Sequence, residues 1–189
     1  MIEEATELFA RRGYAGTSMQ DIADAVGIRK PSLYKFFSSK DDLYGAVLES
    51  TLAPLAAAID DALGGGSTSG AGLTATSLRL LHENPQVSRL LMQELVQNER
   101  PLHPHLDSWL NLLFDKADEV FALQLQPSLD PAERRLNLLT QLNVVLGFAL
   151  VEPLLPGEHT KDELIKLEHS VLTKVVAALY GATQPAPTP

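Results

Sequence analysis

Three basic side chains within seven residues, Arg29, Lys30 and Lys35, have the chemistry needed to bind nucleic acid. A guanidinium group can form two hydrogen bonds with the edge of a guanine, and an ammonium group can neutralise a phosphate. Together with Lys40 they give residues 27–40 a charge of +4, because this window contains no Asp or Glu. The alternative is an ordinary solvated helix face, and the elements that carry these side chains decide between the two.

The element that precedes the basic residues is predicted to be a short helix that ends at Gly27. Thr17 or Ser18 can cap its first turn, because a hydroxyl at this position accepts a hydrogen bond from an unpaired backbone N–H. Glycine adopts the left-handed conformation that a tight turn requires. The apolar side of this helix is formed by Ile22, Ala25 and Val26.

A second short helix follows the turn and carries the basic residues. Its buried side is predicted to consist of Leu33, Phe36 and Phe37. The remaining positions, which point elsewhere, are Arg29, Lys30, Ser32, Tyr34 and Lys35. Two short helices joined by a tight turn form a helix-turn-helix, whose second helix lies in the major groove of DNA.

The same region carries a family resemblance. The motifs, in chain order, are Ala5-Thr6-Glu7-Leu8-Phe9, Gly13-Tyr14, Thr17-Ser18, Asp21-Ile22-Ala23, Val26-Gly27, Leu33-Tyr34-Lys35-Phe36-Phe37 and Ser39-Lys40-Asp41-Asp42-Leu43. This segment resembles the DNA-binding domain of the TetR family of bacterial transcriptional regulators. The resemblance covers about a quarter of the chain. Family members usually carry several basic residues before the first helix, so a phosphate-contacting arm is expected to be missing or truncated here.

The resemblance implies roles for individual side chains in this segment. Tyr34 matches a tyrosine that bonds a phosphate in the family, and Lys40 and Thr17 also match phosphate contacts. Arg29 stands where a small polar residue is usual, so its contact with a base or phosphate is less defined. The full set expected to bind DNA is Thr17, Arg29, Lys30, Ser32, Tyr34, Lys35 and Lys40.

The composition fits this interpretation once the distribution of charge is considered. The net charge of the 189 residues is −9, but residues 49–189 hold 9 basic and 17 acidic side chains and therefore account for −8. Screening limits the reach of surface charges to about 8–10 Å at physiological salt. The charge of residues 27–40 therefore matters more for DNA binding than the net charge of the chain. There is no cysteine, no signal peptide and no apolar run of about 18 residues. These features predict a cytoplasmic protein.

The rest of the sequence predicts an all-α fold of about nine helices. A first helix is expected to end at Gly13, and a fourth to run from its cap Ser39 to Leu63 with Pro54 inside it. Later helices are expected over 73–83, from about 87 to 95, and over 106–126, 132–151 and 161–180. Residues 1–45 are thus predicted to form the DNA-binding domain, residues 46–182 a ligand-binding and dimerisation domain, and residues 183–189 a disordered tail.

The resemblance also implies a small-molecule cavity in the middle of the chain. The apolar residues expected to line it are Met92, Trp109, Leu113, Phe114 and Phe148. Taken singly, such side chains more often belong to a helical core than to a pocket, and the resemblance supports the group as a whole. His103 and His105 provide half of a metal site at best, so no metal is expected. Enzymatic motifs for nucleophiles, zinc or nucleotides are absent from the sequence.

The sequence therefore predicts a dimeric transcriptional repressor that is released from an inverted-repeat operator by a small, mostly apolar ligand. Apolar positions at helical spacing on the last two helices would form a four-helix bundle with a second chain, as in the family. They are Leu138, Leu142, Val145, Ala149, Leu164, Leu167, Val171, Val175 and Ala178. The alternative is a helical small-molecule binding module that does not bind an operator.

Overall fold

The computed structural model describes residues 1–64, 79–81, 83–96, 101–120, 130–151 and 160–180. In these ranges the regular elements are helices, which confirms the all-α prediction. They are α1 Ile2–Arg12, α2 Met19–Val26, α3 Lys30–Leu33, α4 Lys40–Gly64, α5 Pro85–Val96, α6 Pro104–Val120, α7 Pro131–Val151 and α8 Lys161–Tyr180. Residues 79–81 and 83 are also helical. The predicted tail and most of the glycine-rich segment 64–70, a predicted surface loop, lie outside the described residues.

The helices begin where side chains can satisfy their first backbone N–H groups. The Ser39 hydroxyl accepts from the N–H of Asp42 at 3.0 Å, which confirms the predicted start of α4. At α7, Asp130 accepts from the N–H groups of the second and third helical residues at 2.7 and 3.0 Å. Helix α6 begins at Pro104, two residues before the predicted start, because the carbonyl and the Nδ1 atom of His103 both accept hydrogen bonds from its first turn.

One apolar core runs from α1 to α8. It includes Phe9 of α1, Leu48 of α4, Leu90 of α5 and Leu146 of α7, each with no exposed surface. Helix α4 continues without interruption past residue 45, the predicted domain boundary, with Pro54 inside it. The position of α3 is therefore set by a core that it shares with later helices of the chain. Among the described residues, no helix combines the length and apolar character required to cross a membrane.

Candidate nucleic-acid interface

The turn between α2 and α3 has the geometry that the sequence predicted. Gly27 lies at φ 75° and ψ 29°, in the left-handed region, and its N–H donates to the carbonyls of Ala23 and Asp24. The N–H of Ile28 donates to the carbonyl of Ala23 at 2.9 Å. Two backbone donors are thus satisfied at the end of α2, and the chain reverses into α3 within three residues.

Buried apolar side chains fix the angle between the two helices. Ile22 and Ala23 of α2 and Leu33 of α3 have no exposed surface. Ala25, which was predicted on the buried side of α2, is exposed, and Ala23 takes its place in the core. The small Ala23 side chain allows α3 to approach α2 closely.

Ser18, and not Thr17, caps α2. Its hydroxyl accepts from the N–H of Asp21 at 3.2 Å, and its own N–H donates to the Asp21 carboxylate at 2.9 Å, which completes a capping box. The Ser18 hydroxyl and N–H, and then the guanidinium of Arg12 at 3.3 Å, lower the pKa of Asp21 below its ordinary value. Asp21 is therefore an acceptor that belongs to the fold of the domain.

Helix α3 presents the predicted DNA-binding residues on its open side. Arg29, Lys30, Tyr34 and Lys35 are exposed, and Ser32 is half-buried. Arg29 is the N-cap residue of α3 but makes no capping hydrogen bond with its side chain. The Arg29 guanidinium is therefore not held at this helix terminus by a capping hydrogen bond. Because α3 has four residues, these side chains surround a single helical turn.

Thr17 departs from the expectation for a DNA contact. It is 1% exposed, and its hydroxyl donates to the carbonyls of Leu8 at 3.3 Å and Gly13 at 2.9 Å. The hydroxyl thus ties the start of α2 to the end of α1. A buried donor that is already satisfied has no free hydrogen for a phosphate, so the geometry removes the Thr17 side chain from the candidate interface.

Lys40 also makes contacts inside the domain. Its Nζ atom donates to the carbonyls of Tyr14 at 2.9 Å and Thr17 at 3.1 Å, and it lies 4.1 Å from the centroid of the Tyr14 ring. Lys40 therefore holds the α1–α2 turn against the start of α4. Of the three N–H groups of this ammonium, one is left for a phosphate.

A buried polar cluster joins the first domain to α5 and α6. The Tyr44 hydroxyl donates to the Glu94 carboxylate at 2.9 Å, and the backbone N–H of His103 donates to the same carboxylate at 3.4 Å. Glu94 is 3% exposed. A neighbouring bond runs from Nε2 of Gln93 to the carbonyl of Ala10 in α1 at 3.1 Å. Sequence analysis assigned no role to Tyr44 or Glu94.

The two histidines have structural partners in this cluster. The His103 ring is 5% exposed, its Nε2 lies 3.7 Å from the Asp41 carboxylate, and its ring stacks on that of His105. A Cβ atom at Gly45 would lie 3.0 Å from both imidazole rings, so this glycine allows α4 to pass next to them. In the part of the chain that the structure describes, no three potential metal ligands lie together.

The residues predicted to line a ligand cavity lie in or against the core. Trp109 is 8% exposed, and Met92, Leu113 and Phe114 are partly buried against the core. The side chain of Phe148 lies outside the described residues. A cleft of about 360 Å³ lies elsewhere, between α1, the middle of α4 and the start of α5. Its lining includes Pro54 and Glu7, and none of the four predicted residues whose side chains the structure describes.

These features define a helix-turn-helix domain built onto a larger helical body. Residues 1–47 match the sequence profile of the bacterial regulatory proteins of the tetR family. The match confirms that this N-terminal segment resembles the DNA-binding domain of the TetR family, as its motifs indicated.

Two characterised relatives are similar to this domain. FasR of Mycolicibacterium smegmatis, an HTH-type transcriptional activator, is 46% identical over 59 residues, which cover 31% of this chain and 27% of FasR. IcaR of Staphylococcus aureus, a negative regulator of the icaADBC biofilm operon, is 48% identical over 44 residues, or 23% of this chain and 24% of IcaR. The chain thus spans about a quarter of the length of these relatives.

The whole fold is similar to that of a solved regulator. FadR of Bacillus subtilis in complex with stearoyl-CoA superposes with a TM-score of 0.68 at 19% identity, over 93% of this chain and 96% of FadR. At this identity the similarity establishes the fold. It extends the relationship from the N-terminal domain to the arrangement of the helices that follow it.

Proposed function

We propose that this protein is a dimeric transcriptional repressor of the cytoplasm, without enzymatic activity, that binds an inverted-repeat operator and is released by a small ligand. The observation that carries this proposal is the exposed face of α3. Arg29, Lys30 and Lys35 extend from a single helical turn, next to Tyr34, in a window without acidic residues. Because the remainder of the chain is acidic, this face is where a polyanion would be attracted.

The DNA-binding part of the proposal is tested by the dependence of affinity on salt. If a dimer contacts about 6–8 phosphates, log affinity should fall with log salt at a slope of about −5 to −7. The target is found by selecting bound fragments from the genome of the source organism, and binding is then measured by fluorescence anisotropy. Lys35→Ala should weaken specific and non-specific DNA alike, whereas Arg89→Ala, which removes an exposed basic side chain from α5, should change neither. A slope near zero would contradict the proposal.

The proposed dimer uses α7 and α8. Leu136 of α7 is 64% exposed and Leu167 of α8 is 48% exposed, so both helices present large apolar side chains to solvent in the monomer. By contrast, Val145 and Leu164, which the sequence suggested for the same face, are 5% and 3% exposed and belong to the monomer's own interior. Two copies joined through these helices would place two α3 helices on successive turns of DNA, about 34–36 Å apart.

The dimer is tested by sedimentation of the full chain at micromolar concentration. Leu136→Glu combined with Leu167→Glu should yield a monomer that has lost operator binding, because one half-site provides too few contacts. Leu112→Glu is the matched control, since Leu112 is 46% exposed on α6. A monomeric wild-type chain, with or without DNA, would contradict this part of the proposal.

The proposed effector is a mostly apolar molecule bound near Trp109, and helix α4 transmits its binding. This helix begins at Lys40, which holds the α1–α2 turn, and continues past Pro54 beside α6, the helix that carries Trp109. A proline inside a helix removes one backbone hydrogen bond and favours a kink, so a ligand that prefers one kink angle would move the DNA-binding domain. A tenfold loss of affinity requires about 1.4 kcal/mol of differential binding.

Thermodynamic reciprocity tests this mechanism. Acyl-CoA thioesters of several chain lengths are suitable probes, because the structurally similar FadR was solved with stearoyl-CoA. Operator DNA should weaken the binding of an active thioester by the same factor by which the thioester weakens operator binding. Trp109, the only tryptophan of the sequence, offers a fluorescence signal for occupancy. Pro54→Ala should change this factor in a folded protein, and an unchanged factor would contradict the hinge.

The competing proposal is a helical ligand-binding module that does not bind an operator. The buried polar cluster and the cleft beside Pro54 would suit either protein. The two proposals predict different results when bound fragments are selected from the genome. A ligand-binding module should enrich no fragment, whereas a repressor should enrich fragments that contain an inverted repeat. A reporter gene placed behind that repeat then separates repression from activation, since both signs of regulation occur among the relatives of this domain.

A further inference from the structure

Phe36 is an exposed aromatic residue that the roles assigned above do not explain. The sequence predicted it on the buried side of α3, but its side chain is 67% exposed. A hydrogen-bonded turn follows α3, and in it the N–H of Phe36 donates to the carbonyl of Leu33 at 3.0 Å. Leu33 is fully buried and Phe37 is half-buried, so these two side chains fill the interior and Phe36 is turned to the other side.

The surroundings of Phe36 indicate what covers it. Tyr34 is 46% exposed and Lys35 is exposed, so residues 34–36 form an open run of two aromatic rings and a cation. This run continues the basic face formed by Arg29 and Lys30. A face of this charge is complementary to DNA, and a large ring beside it becomes buried when DNA is bound.

We infer that Phe36 is a specificity-determining residue that packs against the C5-methyl group of a thymine in each operator half-site. A phenyl ring has no hydrogen-bond donor or acceptor, so it cannot pair with a phosphate or with the polar edge of a base. The thymine methyl is the apolar group that base pairs present in the major groove. Contact between the two removes apolar surface from water on both sides. This inference depends on the proposed operator binding.

The experiment uses the operator selected with the wild-type chain, in which each thymine is replaced in turn by deoxyuridine. Deoxyuridine lacks only the methyl group, so hydrogen bonding and charge are preserved. At one pair of positions related by the operator symmetry, removal of both methyls should weaken wild-type binding about 10-fold, from a factor of about 3–4 for each methyl. Phe36→Ala should bind the unmodified operator more weakly and should be insensitive to deoxyuridine at that pair.

Two further variants make this result specific to Phe36. Phe36→Leu keeps an apolar side chain and should retain part of the sensitivity to the methyl group. Lys35→Ala should weaken all sequences but keep the full sensitivity at the same pair. Because the Phe36 ring is exposed, all variants should unfold at the wild-type temperature, which thermal denaturation checks.

The inference is overturned if every thymine can be replaced by deoxyuridine without loss of wild-type affinity. That result is expected if the Phe36 ring lies against the sugar–phosphate backbone. It is also overturned if Phe36→Ala keeps the wild-type response to deoxyuridine, since another residue then reads the methyl. Both results leave specific operator binding intact. Failure of the wild-type chain to enrich any operator would instead refute the proposed function itself, and the inference with it.

Discussion

The hydrogen bond between Tyr44 and Glu94 offers a direct test of how the two domains are held together. The Tyr44 hydroxyl on α4 donates to a carboxylate on α5 that is 3% exposed, at 2.9 Å. The ring of Tyr44 packs edge-on against Phe9 and Tyr14, with centroids 4.7 and 5.0 Å away. Tyr44→Phe keeps this packing and removes the hydroxyl together with its hydrogen bond to Glu94.

A buried hydrogen bond to a charged group contributes about 1.5–3 kcal/mol to the free energy of unfolding. For a chain of this size, each kcal/mol changes the melting temperature by about 2–4 °C. Tyr44→Phe is therefore expected to lower the melting temperature by about 3–12 °C. Urea denaturation followed by circular dichroism should give the same free energy from a shifted midpoint with an unchanged slope.

Tyr34→Phe is the matched control, because it removes a hydroxyl from a ring that is 46% exposed on α3. Its free energy of unfolding should stay within about 0.5 kcal/mol of wild type, as is usual for surface substitutions. If Tyr44→Phe falls within that same margin, the bond to Glu94 does not stabilise the junction, and the reasoning from burial and distance is wrong.

Substitutions at three more positions test the candidate interface. Lys40→Met should lower the free energy of unfolding by about 1–2 kcal/mol in urea titrations, because it releases two backbone carbonyls. Gly27→Ala should cost about 1–2 kcal/mol from its left-handed backbone alone, since a Cβ there meets no atom within 4 Å, and Gly27→Asn should cost less in thermal denaturation. Ser18→Ala should raise the pKa of Asp21 in an NMR titration, because the Ser18 hydroxyl lowers it most. Since the pKa of Asp21 is lowered in the folded state, its carboxylate stabilises the fold above about pH 4, and that contribution is lost as the pH falls through the folded pKa.

Features that depend on neighbouring residues could be predicted from the sequence. The cap of α4 joins residues three apart, and the turn at Gly27 requires one backbone conformation that glycine adopts without strain. Helical spacing likewise located α1 and placed Phe9 in its buried stripe. In each case the physical cause acts within one or two turns of helix, a distance over which sequence order determines contact.

Whether the side chains near α3 are buried or exposed could not be predicted in the same way. Helical periodicity needs several turns to define a buried side, and α3 has four residues. Phe36 was therefore assigned to the interior on its chemistry alone, although Leu33 and Phe37 already fill that space. Lys40 was expected to contact a phosphate because of the family resemblance, but the carbonyls of Tyr14 and Thr17 accept hydrogen bonds from its ammonium group.

The polar cluster at the junction had no signal in the sequence at all. Tyr44 and Glu94 are 50 residues apart, and Gln93 and the carbonyl of Ala10 are 83 residues apart. A glutamate and a glutamine in a helix are typical of a solvated surface, so their burial follows only from the packing of α5 against α1 and α4. Such long-range polar pairs require the fold to be known first.

This cluster constrains how a signal could cross the molecule. Helix α5 forms a hydrogen bond with α1 through Gln93 and with α4 through Glu94. Pro54 lies ten residues beyond Tyr44 along α4, or about 15 Å of helix. In the proposed mechanism, a change of angle at Pro54 would reach the DNA-binding domain with α5 attached, because the bond to Glu94 would keep α4 and α5 together. If the proposed ligand acts through this unit, Tyr44→Phe should reduce the factor by which ligand and operator weaken each other. Operator affinity without ligand should stay within about twofold, because Tyr44 is buried and is not among the proposed DNA contacts. A coupling factor equal to that of wild type would show that the signal bypasses α5 and travels along α4 alone.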